Sequence, residues 1–250
     1  MGKLQDRIAI VTGSGSGIGR ACAELFAKQG AKVVIADVDE QAGRAAAEDV
    51  GGIYLQVDVT DPSSVEAMIE TSVDKLGRID ILMNNAGIDG DHAITGDSSI
   101  ENWKRVTSIN MDGVYYGMKY VLPVMVEQKG GVILNTASTV GMNALPGLPS
   151  YSASKAGVIQ LSKAAAIEYA WHKIRVNAIC PSVVDTPLLR HLIASTPDPE
   201  AARMGFEQLN PMPGMVTTDA VAKAALFLVS DDSSFITAVA LPIDGGYTAR

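Results

Sequence analysis

Short apolar runs alternate with longer segments of helical periodicity along nearly the whole chain. Residues 7–12 carry a continuous apolar run, Ile8-Ala9-Ile10-Val11, of the kind a buried strand needs. A glycine-rich turn follows, and apolar positions then recur at Ile18, Cys22, Leu25 and Phe26 before Gly30, a helix stop. The same alternation predicts strands at 32–37, 53–58, 79–84, 131–137, 174–179 and 238–242. It predicts helices near 40–50, 63–76, 100–128 and 150–171. Strands that alternate with helices pair in parallel, and strands apolar on both faces are covered on both. The expected fold is therefore α/β, a doubly wound parallel sheet flanked by helices on both faces. No linker-like stretch divides the chain and no solenoid-length repeat occurs, so residues 1–250 read as one domain. Residues 186–215 break the rhythm. Their five prolines read as a long irregular insertion, a substrate lid.

Composition narrows the partners. A hydrophobic content of 47% over 250 residues supplies one large core. A net charge of -8 argues against nucleic acid or an anionic membrane surface, since both select a basic face. No apolar run reaches the roughly 18 residues of a membrane span, and the first strand pattern starts too early to leave room for a leader. Cys22 and Cys180 lie too far apart to suggest a disulfide framework. His92, His172 and His191 show no metal-ligand spacing, so no metal is expected. Together these features fit the reducing cytoplasm.

The turn Thr12-Gly13-Ser14-Gly15-Ser16-Gly17-Ile18-Gly19 joins the first strand to the first helix. Glycines there let the backbone turn tightly and present helix amides to a pyrophosphate. Alone, the same turn could be no more than a tight strand-to-helix connection. Asp37 closes the second strand about twenty residues on, where a carboxylate grips adenosine ribose hydroxyls and repels a 2'-phosphate. NAD is therefore expected over NADP. Tyr151 and Lys155 stand four apart on one helix face. A phenol, with a pKa near ~10, is a poor base at neutral pH. A neighbouring ammonium is expected to lower that value. Ser138 follows a strand, placed to bond a substrate oxygen. Taken singly, each of these has a plainer reading: Tyr151 a half-buried helix aromatic, Lys155 a solvated charge, Ser138 a turn former, Asn110 a polar helix residue.

Five features fall in order along the chain: the Thr-Gly-x-x-x-Gly-x-Gly turn at Thr12–Gly19, Asn84-Asn85-Ala86-Gly87, Asn110, Ser138, and Tyr151-Ser152-Ala153-Ser154-Lys155. With this ordered set the chain resembles the classical short-chain dehydrogenase/reductase family over its whole length. The resemblance implies a Rossmann-like fold and an NAD-dependent interconversion of secondary alcohol and ketone, with Tyr151 as acid/base. Lys155 would also hold the nicotinamide ribose. Asn110 would support a water-linked proton path through the lysine. Cofactor contacts are implied at Gly13, Ser16, Gly17, Ile18 and Gly19, at Asp37, at Asp58 and Val59 beside the adenine, and at Asn85, Ala86 and Gly87 beside the ribose. Pro181, Val184 and Thr186 would meet the carboxamide. Ser182 departs from the pattern, where glycine is more usual.

Candidate substrate-facing residues are Val140, Met142, Asn143, Leu145 and Leu148, with Leu188, Leu189, Leu192, Met204, Phe206, Met212 and Met215 from the lid. They favour a neutral, hydrophobic alcohol or diol, cyclic ones included. The alternatives are a 3-oxoacyl-thioester reductase or 3-hydroxyacyl dehydrogenase, and a non-catalytic NAD sensor on the same fold. An enoyl reductase fits less well, because that branch spaces its tyrosine and lysine more widely. The resemblance further implies a homo-oligomer, often a tetramer, with the long helices at subunit contacts.

Overall fold

A computed structural model describes residues 2–249. Seven strands form one sheet: β1 (Ile8–Thr12), β2 (Lys32–Asp37), β3 (Ile53–Gln56), β4 (Ile81–Asn84), β5 (Gly131–Thr136), β6 (Ile174–Pro181) and β7 (Ala240–Ile243). Their order is β3-β2-β1-β4-β5-β6-β7, and each neighbouring pair is parallel. The chain reverses its winding direction between β1 and β4, where a ligand crevice opens in such sheets.

Among the described residues there are nine α-helices: α1 (Gly17–Lys28), α2 (Glu40–Val50), α3 (Pro62–Leu76), α4 (Ile100–Thr107), α5 (Gly113–Glu127), α6 (Pro149–Tyr169), α7 (Pro187–Ala194), α8 (Pro199–Glu207) and α9 (Thr218–Val229). Of these, α1, α2 and α9 cover one face of the sheet and α3, α5 and α6 the other. The strands' alternation sorts their side chains into two cores. Ile10, Val34 and Ala36 face α3, α5 and α6 through Met68, Val121, Met125 and Val158. Ala9, Val11, Val33 and Ile35 face α1, α2 and α9 through Phe26, Ala47, Val221 and Ala225. Apolar side chains on both faces of one strand account for the continuous runs in the sequence.

Three features depart from the sequence pattern. The predicted helix at 100–128 is two helices joined by a π-helical turn, Ser108–Asp112, which carries Asn110. The segment 186–215 is not irregular, since it holds α7 and α8. Its prolines Pro187 and Pro199 start these helices, behind the caps Thr186 and Asp198. Proline suits the first helical position, where its missing N–H costs nothing. The third feature, α9, lies outside the predicted elements altogether. It is capped by Thr217 and packs Val221, Ala225 and Val229 into the core.

Candidate active site

The carboxyl ends of the strands border a cavity of about 580 Å3. Its floor is the glycine turn. Gly13 has φ +60, and a Cβ there would lie 2.8 Å from the Ala86 Cα. Gly19 lies beneath the turn, where a Cβ would stand 2.3 Å from the Gly13 carbonyl oxygen. Thr12 and Asn85 hold the turn to the end of β4. The Thr12 hydroxyl accepts from the Asn85 and Ala86 amides at 2.9 and 3.1 Å. Asn85 Nδ2 donates back to the Thr12 and Gly13 carbonyls at 3.0 and 3.1 Å. Ser14 ties the same turn to both neighbouring strands, donating to Val11 O and accepting from the Ala36 amide. The sequence points to Asn85 as a ribose neighbour; its side chain is spent on the turn.

The first-turn amides of α1 open to the cavity. Ser16 caps the helix with extended backbone but makes no side-chain cap, whereas Asp39 and Asp61 cap α2 and α3. Uncapped amides at a helix N-terminus form an anion site. Asp37 stands beside them at the end of β2. Its Oδ2 accepts from the Gly15 amide at 2.7 Å and its Oδ1 from the Asp39 amide at 3.0 Å, which fixes the carboxylate at the cavity rim. Asp58 turns its Oδ1 to the Thr60 amide and hydroxyl, and Val59 follows at the wall. Pro181, Val184 and Thr186 form the far wall. The Thr186 Oγ1 caps α7 through the Leu189 amide at 3.3 Å, and its methyl group faces the space over Gly17. A glycine cradle, free helix amides and a fixed carboxylate suit a dinucleotide: phosphate at α1, ribose at Asp37.

Ser138, Tyr151 and Lys155 meet where the two halves of the cavity join. Ser138 ends β5 and caps the following 3-10 turn through the Val140 amide. Its hydroxyl donates to Pro181 O at 3.4 Å and stands near enough to the Tyr151 phenol to favour its charged form. Tyr151 and Lys155 project from the first turns of α6, which begins at Pro149. The Lys155 Nζ lies 5.6 Å from the centroid of the Tyr151 ring and donates to Thr136 O at 2.8 Å. Burial pushes the lysine down to about 8. Burial also pushes the phenol above its ordinary range, reinforced by the charge of Asp89 and opposed by the Ser138 hydroxyl. The lowered phenol expected from the lysine alone is thus not what the protein's own groups produce: desolvation wins.

All the sequence-predicted cofactor and catalytic positions border the cavity except Gly19 and Asn110. Asn110 is fully buried. It bonds both backbone groups of Ile88 at 2.8 Å and the Ser154 hydroxyl at 3.2 Å. A Cβ on Gly87 would stand 3.3 Å from both Asn110 Oδ1 and Lys155 Nζ, so the bare glycine backbone separates the two groups. Val140, Leu145, Leu148, Leu188, Leu189, Leu192 and Phe206 line the substrate half as expected. Met142, Asn143, Met204, Met212 and Met215 do not; Met142, Met204 and Met212 point to solvent. The sequence reading passed over Asp89, His92, Ile109, Asn210 and Tyr247 on the same walls. A charge two residues past the Asn-Ala-Gly run was the available signal for Asp89. Ser182 donates to Asn210 Oδ1 at 2.9 Å, and Asn210 Nδ2 donates to Gly214 O at 3.2 Å. The hydroxyl in place of the usual glycine thus ties the end of β6 to the segment after α8.

Comparison with known proteins agrees with this architecture. A family model described as Enoyl-(Acyl carrier protein) reductase matches residues 13–248. Cyclohexanol dehydrogenase of Acinetobacter sp. (strain SE19) is 36% identical, over 99% of this chain and 97% of its own. The 3-oxoacyl-(acyl-carrier-protein) reductase FabG of Thermotoga maritima is 38% identical over 98% of each. A crystal structure of 3-ketoacyl-(acyl-carrier-protein) reductase from Brucella melitensis, complexed with NADH, superposes with a TM-score of 0.91 at 37% identity. It covers 98% of this chain and 99% of that one. The chain therefore belongs to the short-chain dehydrogenase/reductase family, as an oxidoreductase of alcohol and ketone pairs.

Proposed function

We propose that this enzyme is an NAD(H)-dependent dehydrogenase/reductase of hydrophobic secondary alcohols, cyclic alcohols and diols included, and their ketones. The observation that carries the reading is the junction of Ser138, Tyr151 and Lys155 with apolar walls on one side and Asp37 at the rim on the other. Gly13, Ser16, Gly17 and Ile18 would hold the pyrophosphate, Asp37 the adenosine ribose, and Asp58 and Val59 the adenine. Asn85, Ala86, Gly87, Tyr151 and Lys155 would flank the second ribose, with Pro181, Val184 and Thr186 at the carboxamide. Gly19 acts beneath the turn. The nicotinamide held there would supply hydride exchange with the carbinol carbon. Ser138 positions the substrate oxygen, and Tyr151 holds or takes the proton at that oxygen. Lys155 sets the charge beside the phenol, and Asn110 fixes the loop that carries Gly87 against it. Asp37 favours NAD, since its carboxylate would meet a 2'-phosphate with like charge.

Residues 1–250 act as one dinucleotide-binding and catalytic domain, with 186–215 as its lid. Exposed Trp103, Tyr115, Ile167 and Trp171 on and beside α4, α5 and α6 suit the subunit contacts of a homotetramer; light scattering checks the subunit count. Turnover of a panel of alcohols with NAD, followed at the NADH absorbance, tests the whole reading. Tyr151→Phe is expected to lose at least a hundredfold in rate, and an equal rate would remove the mechanism.

A second reading, reduction of 3-oxoacyl thioesters, has the likeness to the Thermotoga reductase in its favour. Against it, Lys155 is the one Lys or Arg on the cavity wall among the described residues, and a phosphate-bearing carrier needs more. Turnover of acetoacetyl thioesters far above that of cyclic ketones would reverse the ranking.

A further inference from the structure

We propose that Asp89 is a specificity-determining residue that accepts a hydrogen bond from a second hydroxyl of the substrate, which selects neutral diols and hydroxyketones over anionic substrates. This rests on the alcohol/ketone reading above. Asp89 lies on the loop after β4, on the cavity wall, close enough to Tyr151 and Lys155 for its charge to act on both. Apolar side chains line the same cavity, among them Ile88, Ile109, Val140, Leu145 and Leu148.

The loop is fixed on both sides of Asp89. Asn110 bonds the N–H and the C=O of Ile88 at 2.8 Å each. Asn102 bonds the N–H and the C=O of Asp91 at 2.9 and 3.3 Å, and the Ala93 amide donates to Gly147 O at 3.0 Å. Gly90, with φ +79, packs its backbone where a Cβ would lie 2.4 Å from Val106. The two nearby acids differ in their partners. Asp91 is ion-paired to Arg105 at 2.8 Å. Among the described residues no ion pair within 4 Å and no hydrogen bond holds the Asp89 carboxylate, and Lys155 acts on it only from farther away.

A carboxylate without a partner remains favourable only while water or a ligand donor solvates it. An apolar substrate that displaces that water leaves the charge unsatisfied. A second hydroxyl on the substrate replaces the lost water, and a substrate carboxylate meets like charge. The fixed loop holds the acceptor in place before binding, so little ordering is needed. His92 is the other titratable group of this loop at the cavity, and Tyr151 and Lys155 face it from α6.

The test compares kcat/KM for cyclohexane-1,2-diol, cyclohexanol and 4-hydroxycyclohexanecarboxylate, with NAD, in wild type, Asp89→Asn and Asp89→Ala. The expected result is a fall in the diol-to-cyclohexanol ratio of about tenfold to a hundredfold in Asp89→Ala. The carboxylate-to-cyclohexanol ratio rises at least threefold in both variants. Titration of each enzyme–NADH complex with the diol gives a second readout, since a folded variant still binds NADH and weakens only toward the diol. Ratios unchanged within twofold, in variants that still bind NADH, would overturn the role of Asp89 alone. A wild type that oxidises none of the three alcohols would overturn the alcohol reading and this inference with it.

Discussion

Tyr151 is one of seven tyrosines, and its environment gives it a task. A phenol is already protonated at neutral pH, and burial and the Asp89 charge raise its pKa further, so the resting group is a proton donor and suits ketone reduction. Below its pKa the phenolate fraction grows tenfold per pH unit. Alcohol oxidation is therefore expected to rise steadily from pH 7 to 9. Ketone reduction should stay level near neutrality and decline as Lys155 loses its proton around 8. Asp89 raises both groups, so Asp89→Asn lowers both and moves the two profiles to lower pH. Rate profiles with a saturating cofactor check this, and unmoved profiles would contradict it. Residue types and spacing marked Tyr151, Lys155 and Ser138 in the sequence. The direction of the phenol shift was not legible, because desolvation depends on what the fold packs around the ring.

At the scale of elements, two connections decide the site geometry. The π-helical turn between α4 and α5 places Asn110 so that its carboxamide closes the backbone of Ile88. Asn110→Ala leaves those buried groups unpaired and is expected to cost about 2–3 kcal/mol, read as a lower Tm. The sequence pattern reads 100–128 as one helix and does not mark the π-helical turn within it. The second connection is the glycine turn. Gly13→Ala forces a Cβ against the Ala86 backbone and is expected to weaken NADH binding at least tenfold. Gly51→Ala is the control: its φ of +61 carries similar strain, but nothing lies within 4 Å. It should cost only about 1 kcal/mol of stability and leave NADH affinity in place. Cofactor titration by fluorescence separates the two.

The whole molecule couples cofactor to stability, because the dinucleotide crevice lies between β1 and β4 and draws on both cores. Binding to the folded state alone stabilises by about 2.7 kcal/mol at a hundredfold excess over Kd. For a chain of this length that raises Tm by roughly 5–10 °C. NADH is expected to give this shift and NADPH far less, and Asp37→Ala should narrow the gap. An equal shift with both cofactors in the wild type would refute the reading of Asp37. Among the described residues no helix is long and apolar enough to cross a membrane, in keeping with the absence of a long apolar run in the sequence.

The sequence by itself determined the sheet class and the succession of the seven strands, and it pointed to the candidate chemistry-bearing residues. Periodicity and short motifs are local properties, and a strand covered on both faces leaves a short continuous apolar run. Tertiary structure decided what depends on contacts between distant segments. It made Pro187 and Pro199 helix starters instead of marks of an irregular loop, and it packed α9 against α1. It assigned Asn85 to the glycine turn through Thr12, a partner 73 residues away. It also gave Arg105 to Asp91 as a close ion pair and left Asp89 with only the more distant Lys155, two acids that look alike in the sequence. Which carboxylate is paired, and which faces the cavity, is a property of the folded loop alone.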